Sequence, residues 1–276
     1  MPDYRILKVE GDHYDMGWQH GRQVYDLLPR ILDTIDRRSR QVEESGLDAT
    51  FEALVQETCE LLGREDSSLL AMIRGQADAM GLDVNALLRH NLVGSLRDIL
   101  LIRAETGREA CTTWAASGSA TKDGHPLLVK NRDSDLELLN LQALVHATPQ
   151  KGHSYLYVTS AGGPGVQCGG INDAGLAVAD THVYSTDMGP GLPFYSLMMH
   201  ILEDHATVSS AVDLLRRVPR LGRNSLVLAD ALGRLAVFEM GHSAYGLFEC
   251  RDGILVNTNH FVSRELQDCS VQIGPV

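Results

Sequence analysis

Hydropathy changes its period partway along the 276-residue chain, and that switch restricts the fold more than any other feature of the sequence. Through the first hundred residues the apolar positions follow a helical step. Val24, Leu27, Leu28, Ile31, Leu32 and Ile35 recur every three or four residues, the stripe of an amphipathic helix lying on a core. Residues 51–62 and 69–80 predict two further helices, the second closed by Gly81 as a C-terminal cap, and 84–102 a fourth. Residues 103–110, Arg-Ala-Glu-Thr-Gly-Arg-Glu-Ala, are polar and aperiodic and read as an exposed linker.

From Cys111 onward the pattern is short β-prone runs separated by turn pairs such as Asp123-Gly124 and Asp252-Gly253. Strands are predicted to start at Cys111 and to cover 127–129, 155–158, 176–179, 226–229, 235–238 and 254–256. Two helices, about 194–205 and 208–218, interrupt them. Helices first, then a strand-rich region with helices inserted, predict a layered α+β fold. There are no internal repeats or low-complexity segments.

Composition removes several classes of function. With 44% hydrophobic and 22% charged residues the chain is of ordinary globular type. Its net charge of −12 disfavours nucleic acid, whose backbone needs clustered Lys and Arg. No membrane span and no secretory signal are predicted, and the five cysteines, with no Cys-x-x-Cys spacing, support neither a disulfide framework nor a zinc knuckle. A reducing cytoplasmic setting is the expectation. Cofactors and metals are not expected: His200 and His205 would stand about 140° apart on a helix, and no His-Glu-x-x-His is present. The glycine-rich run 160–170 lacks the nucleotide-binding spacing, since a register starting at Gly163 would need glycine at Cys168. It reads as a tight loop between strands that can line a pocket.

Cys111 is distinguished by its company. Lys130-Asn131-Arg132-Asp133 falls at a strand end, followed downstream by Asn172-Asp-Ala-Gly175-Leu176 and Asn257-Thr-Asn259-His260-Phe261. Each run alone has a structural explanation in turns and salt bridges. Together with Gly11-Asp-His-Tyr14-Asp-Met-Gly17-Trp-Gln-His20-Gly21 and with Gly75, Ala77, Gly81 and Asn91, they form an ordered set. In that set the chain resembles the acyl-coenzyme A:6-aminopenicillanic acid (isopenicillin N) acyltransferase family of N-terminal-nucleophile (Ntn) hydrolases.

The resemblance implies a four-layer αββα sandwich made as a precursor that cuts its own Ala110–Cys111 bond. Residues 1–110 would be a helical prosegment and 111–276 the catalytic core, the fragments staying together as a heterodimer. Cys111 would be nucleophile and, through its freed amine, base. Asp133 would position that amine and Asn259 would donate to the oxyanion. Lys130, Asn131, Asn172 and His182 are weaker supporting or substrate-binding candidates. The substrate would be a small acylated amine, peptide-like amide or thioester, acyl-coenzyme A included as a donor, with hydrolysis favoured over transfer. Ala110 replaces a glycine of the penicillin enzyme, and Lys130 an arginine of bile salt hydrolases. The chain also stops fifteen residues after Phe261, where relatives continue into closing strands and an arginine, so truncation or a partner filling the gap is expected. Two other readings stay open: a non-catalytic binding scaffold, and a thiol enzyme that pairs Cys111 with His260 and never cuts itself.

Overall fold

The computed structural model describes residues 5–46, 48–92, 111–133 and 140–271. Ala110, the 103–110 linker and the end of the helix predicted over 84–102 lie outside the described residues.

The amino-terminal region opens with a strand, not a helix. β1 (Arg5–Gly11) alternates, burying Leu7 and Val9, and is followed by α1 (His13–Gln23), α2 (Leu28–Ser45), α3 (Asp48–Glu65), α4 (Ser67–Met80) and a helical run over 84–92, α5. Local chemistry sets the helix ends. The Asp12 side chain accepts the Asp15 N–H at 2.8 Å, Asp66 accepts that of Leu69 at 3.0 Å, and Gly81 closes α4 with φ 69°.

Glycines 17, 21 and 75 let α1 and α4 cross with their backbones nearly touching. A Cβ on Gly75 would stand 2.1 Å from the Tyr14 carbonyl oxygen, and one on Gly17 2.1 Å from that of Met72. Gly75→Ala is therefore expected to cost about 1–3 kcal/mol by forcing the helices apart. Gly63→Ala, in α3 with nothing within 4 Å of its new methyl group, should instead stabilise by about 0.5–1 kcal/mol. Chemical denaturation of the two variants checks the contrast.

Beyond Cys111 the strands are β2 (Cys111–Gly118), β3 (Gly124–Arg132), β4 (Gln142–Pro149), β5 (Tyr155–Ser160), β6 (Gly169–Asn172), β7 (Ala177–His182), β8 (Asn224–Ala229), β9 (Leu235–Met240), β10 (Tyr245–Cys250) and β11 (Gly253–Asn257). Helices α6 (Phe194–Asp204) and α7 (Val208–Arg217) interrupt them. One sheet has the order β1-β4-β5-β6-β7-β8-β9-β10, all antiparallel except the β1–β4 pair. A smaller sheet, β11-β2-β3, stacks on its β7–β9 part. The main core lies between the helices and the large sheet. A second core of Ala115, Val227, Ala229, Leu235 and Val237 lies between the sheets.

The result is the expected α+β layering: helices, large sheet, small sheet. Among the described residues no helix covers the outer face of the small sheet, where Leu127, Ile254 and Val256 are exposed. None of the described helices is long and apolar enough to cross a membrane.

The amino-terminal region is fastened to the rest by partly buried ion pairs. His200 of α6 directs Nε2 to Asp66 at 3.0 Å, and His13 meets Glu203 at 3.1 Å, while His200 Nδ1 meets Asp204 of its own helix at 3.2 Å. Burial disfavours the His200 imidazolium, but the two carboxylates outweigh it and raise its pKa to about 10. Burial has no such opposition at His20 and His90, lowered to about 4 and about 3, Arg38 adding to the effect at His90. The signs oppose. The His200 contribution is complete below its unfolded pKa of about 6.5 and is lost as pH rises toward 10. His20 and His90 are neutral in the fold, so stability is lost as pH falls from about 6.5 toward 4. Melting temperature should peak near pH 6.5–7, and His200→Gln should flatten the alkaline limb.

Candidate active site

Register brings the site together. Cys111, the first residue of β2, stands opposite Arg132 of β3, and Thr113 opposite Lys130. Alternation turns Cys111, Thr113, Lys130 and Arg132 toward the large sheet. There the end of β7 supplies Asp180 and His182, and β8 starts with Asn224. Thr113 Oγ1 donates to the Asp180 carbonyl at 3.1 Å and accepts from Thr181 at 2.9 Å, which ties the two sheets beside the cysteine.

A cavity of about 100 Å³ adjoins Cys111, lined by Lys130, Arg132, Asp133, Gln167, Asp180, His182, Phe194, Arg223 and Asn224. The Cys111 N–H donates to Asn259 Oδ1 at 2.6 Å, and Asn259 Nδ2 donates to the His182 carbonyl at 2.7 Å. Asn259 thus clamps the start of β2 to the end of β7. Lys130 is buried against Asp180, with Nζ 3.0 Å from Oδ1 and hydrogen-bonded to the same residue's carbonyl. Burial pulls the Lys130 pKa down, but Asp180 and the two neighbouring cysteines outweigh it, so the ammonium stays charged. Cys168 faces the same lysine. Burial and Asp180 push its thiol up, against the pull of Arg132 and Lys130, and hold it neutral.

Lys130 and Cys168 also line a second, larger space, an apolar groove of about 800 Å³ running along β3. Its floor is made of small residues, among them Gly169, Ala177, Ala179 and Ala229, and Leu128 faces them from β3. The glycine-rich loop before β6 sits under the amino-terminal helices. Gln76 Nε2 donates to the Gly163 carbonyl and Asn91 Nδ2 to that of Gly162, both at 3.3 Å. From the same loop, Gln167 reaches the cavity and donates to Asn91 Oδ1 at 3.1 Å.

Of the residues singled out in the sequence, the structure assembles Cys111, Lys130, Asp133, His182 and Asn259. Asn131 is exposed on the opposite face of β3, paired in register with Thr112, and does not line the cavity. Asn172 lies at the end of β6 toward the helices. It donates to the Leu202 and His205 carbonyls and accepts the Leu176 N–H, which makes it a turn clamp. His260 is exposed and bonded to Thr258 Oγ1 at 2.9 Å, outside the cavity, which leaves a Cys111–His260 pair without geometric support. Asp180, Arg223 and Asn224 were not evident in the sequence, since only strand pairing brings them to the cysteine.

The strand register thus sets a strand-borne cysteine between two stacked sheets, beside a cavity of charged and amide side chains. The sequence profile of the acyl-coenzyme A:6-aminopenicillanic acid acyl-transferase family matches residues 119–275, more than half of the chain, and the protein belongs to that family. No curated protein sequence matches it. Among solved structures it is similar to a mutant and a second variant of the conjugated bile acid hydrolase from Clostridium perfringens. The identities are 15% and 17%, over 52% of both chains in each case, with TM-scores of 0.43 and 0.42. Penicillin V acylase from Agrobacterium tumefaciens shares 20% identity over 54% of this chain and 45% of its own, with a TM-score of 0.33. The chain spans about half the length of these proteins.

Proposed function

We propose that the protein is a self-processing N-terminal-nucleophile cysteine amidohydrolase, able also to transfer its acyl group to an amine. Its substrate is a small acylated amine, peptide-like amide or thioester. The observation that carries this reading is Cys111 at the first position of β2, its N–H held by Asn259 and its surroundings closed by Lys130, Asp133 and His182.

In processing, Cys111 Sγ attacks the Ala110 carbonyl. The Ala110–Cys111 C–N bond breaks, a thioester forms, and the Cys111 nitrogen takes up the thiol proton. Water then cleaves the thioester, leaving a carboxylate on Ala110 and a free amine on Cys111. An α-amino group titrates at about 7.7–8.0, so near neutrality that amine can accept the proton of its own thiol. In turnover the thiolate adds to the substrate carbonyl, the α-ammonium protonates the departing amine, and water or an acceptor amine releases the acyl group and restores the thiol.

Asp133 holds the α-amine in this scheme, and the buried Lys130 ammonium stands beside the cysteine as a point charge. Asn259 has two N–H groups on Nδ2. One bonds the His182 carbonyl and the other meets the developing oxyanion. The apolar groove beyond Lys130 takes the acyl group.

Asn259→Ala should lower kcat by about 10²–10³ with a smaller effect on KM, measured on a chromogenic acyl anilide. A kcat within a few-fold of the parent would remove Asn259 from the oxyanion role. One observation favours a second reading, a non-catalytic scaffold: Cys111 is only 8% exposed. Such a protein would neither cut itself nor turn over any amide.

A further inference from the structure

Arg132 and Asn224, both lining the cavity beside Cys111, each hold a buried polar atom with no hydrogen-bond partner among the described residues. Arg132 stands directly opposite Cys111 in the β2–β3 register, which sets their Cβ atoms about 5 Å apart on the same face. Its Nη1 is buried and has no hydrogen-bond partner among the described residues. Across the cavity Asn224, 1% exposed, donates Nδ2 to Asp180 at 3.3 Å, while its Oδ1 accepts nothing. A buried donor or acceptor without a partner is costly, and a guanidinium donor most of all, so native folds seldom keep one without reason. Here an unmatched cationic donor and an unmatched acceptor share one cavity of about 100 Å³ with the candidate nucleophile.

The charge of the walls points the same way. In a chain of net charge −12 the cavity is lined by three cationic side chains, Lys130, Arg132 and Arg223, against two carboxylates, Asp133 and Asp180. Asp180 is already neutralised by Lys130. Arg223 is brought in at a backbone cost: its φ of 69° makes it the one non-glycine residue with positive φ among the described residues, directly after Gly222 at 97°. Its guanidinium lies 3.1 Å from His182 Nδ1.

We propose that this cavity recognises the amine half of an N-acyl amino acid: Arg132 Nη1 binds the carboxylate and Asn224 Oδ1 takes the amide N–H, while the acyl carbonyl faces Cys111. The inference rests on the acyl-amide reading above and narrows it to amides that bear a carboxylate on the carbon next to the scissile nitrogen. Arg132 and Asn224 are then the residues that set specificity for this half of the substrate. The largely apolar groove along β3, with Lys130 at one side, accounts for the other half, an apolar acyl chain.

The test compares N-octanoylglycine with its neutral counterpart N-octanoylglycinamide. The parent protein should favour the acid by about 100-fold in kcat/KM, the scale on which a desolvated charge pair discriminates. Arg132→Met should bring that ratio to within a few-fold of one, and Arg132→Lys should restore much of it, with melting curves confirming that both variants are folded. Equal handling of acid and amide by the parent protein, or an unchanged ratio in Arg132→Met, would overturn the proposal. Calorimetric binding of the same two compounds to Cys111→Ala separates this inference from the catalytic reading. Preferential binding of the acid, lost when Arg132→Met is added, supports the carboxylate site even if no amide is ever hydrolysed. Absence of that preference overturns the site even if catalysis is established.

Discussion

Cys111→Ala is expected to abolish turnover of every amide and thioester substrate, by a factor of at least about 10³ and up to about 10⁶, the range seen when a covalent nucleophile is removed. The expectation follows from the absence of a substitute. Cys168, the other thiol near the site, is held neutral by burial and by Asp180, and its side chain faces Lys130 and the groove. The alanine loses no hydrogen bond of the cysteine backbone, since Asn259 bonds the main-chain N–H of residue 111. The variant should therefore melt within a degree or two of the parent. Loss of activity with an unchanged melting curve identifies a chemical role. A Cys111→Ala protein with a tenth of the parent activity would place the nucleophile elsewhere.

Asp180→Ala should have the largest effect on stability, about 3–5 kcal/mol. It strands the Lys130 ammonium in a position where its side chain is 7% exposed, and breaking one half of a buried pair costs far more than removing both halves. It also removes the acceptor of the Asn224 amide at 3.3 Å. The double variant Asp180→Ala, Lys130→Met should recover most of the loss, because an apolar pair has no charge to desolvate. Urea unfolding midpoints across this cycle measure the coupling. A single variant within 1 kcal/mol of the parent would mean that Lys130 can reach water or deprotonate at little cost.

α2, α3, α4 and most of the later strands are legible because their apolar residues keep a clean period, whereas α1 has no such stripe. α2 and α4 follow the three-four step, and β8 and β9 are apolar runs bounded by turns. Of the four described strands not predicted, β4 alternates cleanly, whereas β1 and β6 lack such a signal and β10 alternates only in part. β1 alternates for only seven residues at the head of a helical region, and it acquires its identity by pairing with β4, more than a hundred residues away. β6 reads Gly-Gly-Ile-Asn, a sequence no strand preference selects. It is a strand because β5 and β7 pair with it on both sides.

The site divides along the same line. Cys111, Asp133 and Asn259 stood out through motifs ordered along the chain, and Lys130 through its neighbours. Asp180 and Asn224 belong to neighbouring strands, and the β7–β8 register alone brings their side chains together. Gly17, Gly21 and Gly75 stand in the sequence only as part of a family resemblance, and the structure supplies the physical reason: two helix backbones in contact leave no room for a Cβ. Asn131 and Asn172 show the converse. Each sits in a suggestive motif, yet alternation points Asn131 away from the cavity, and Asn172 closes a turn toward the helices.

The most direct test of self-processing is the intact mass of the purified protein, read together with the sequence of any new amino terminus. Two polypeptides that remain together in solution are expected, one ending at Ala110 and one beginning at Cys111, with a single uncut chain in Cys111→Ala. An uncut parent chain, or a cut at any other bond, would contradict the assignment of Cys111 as an N-terminal nucleophile.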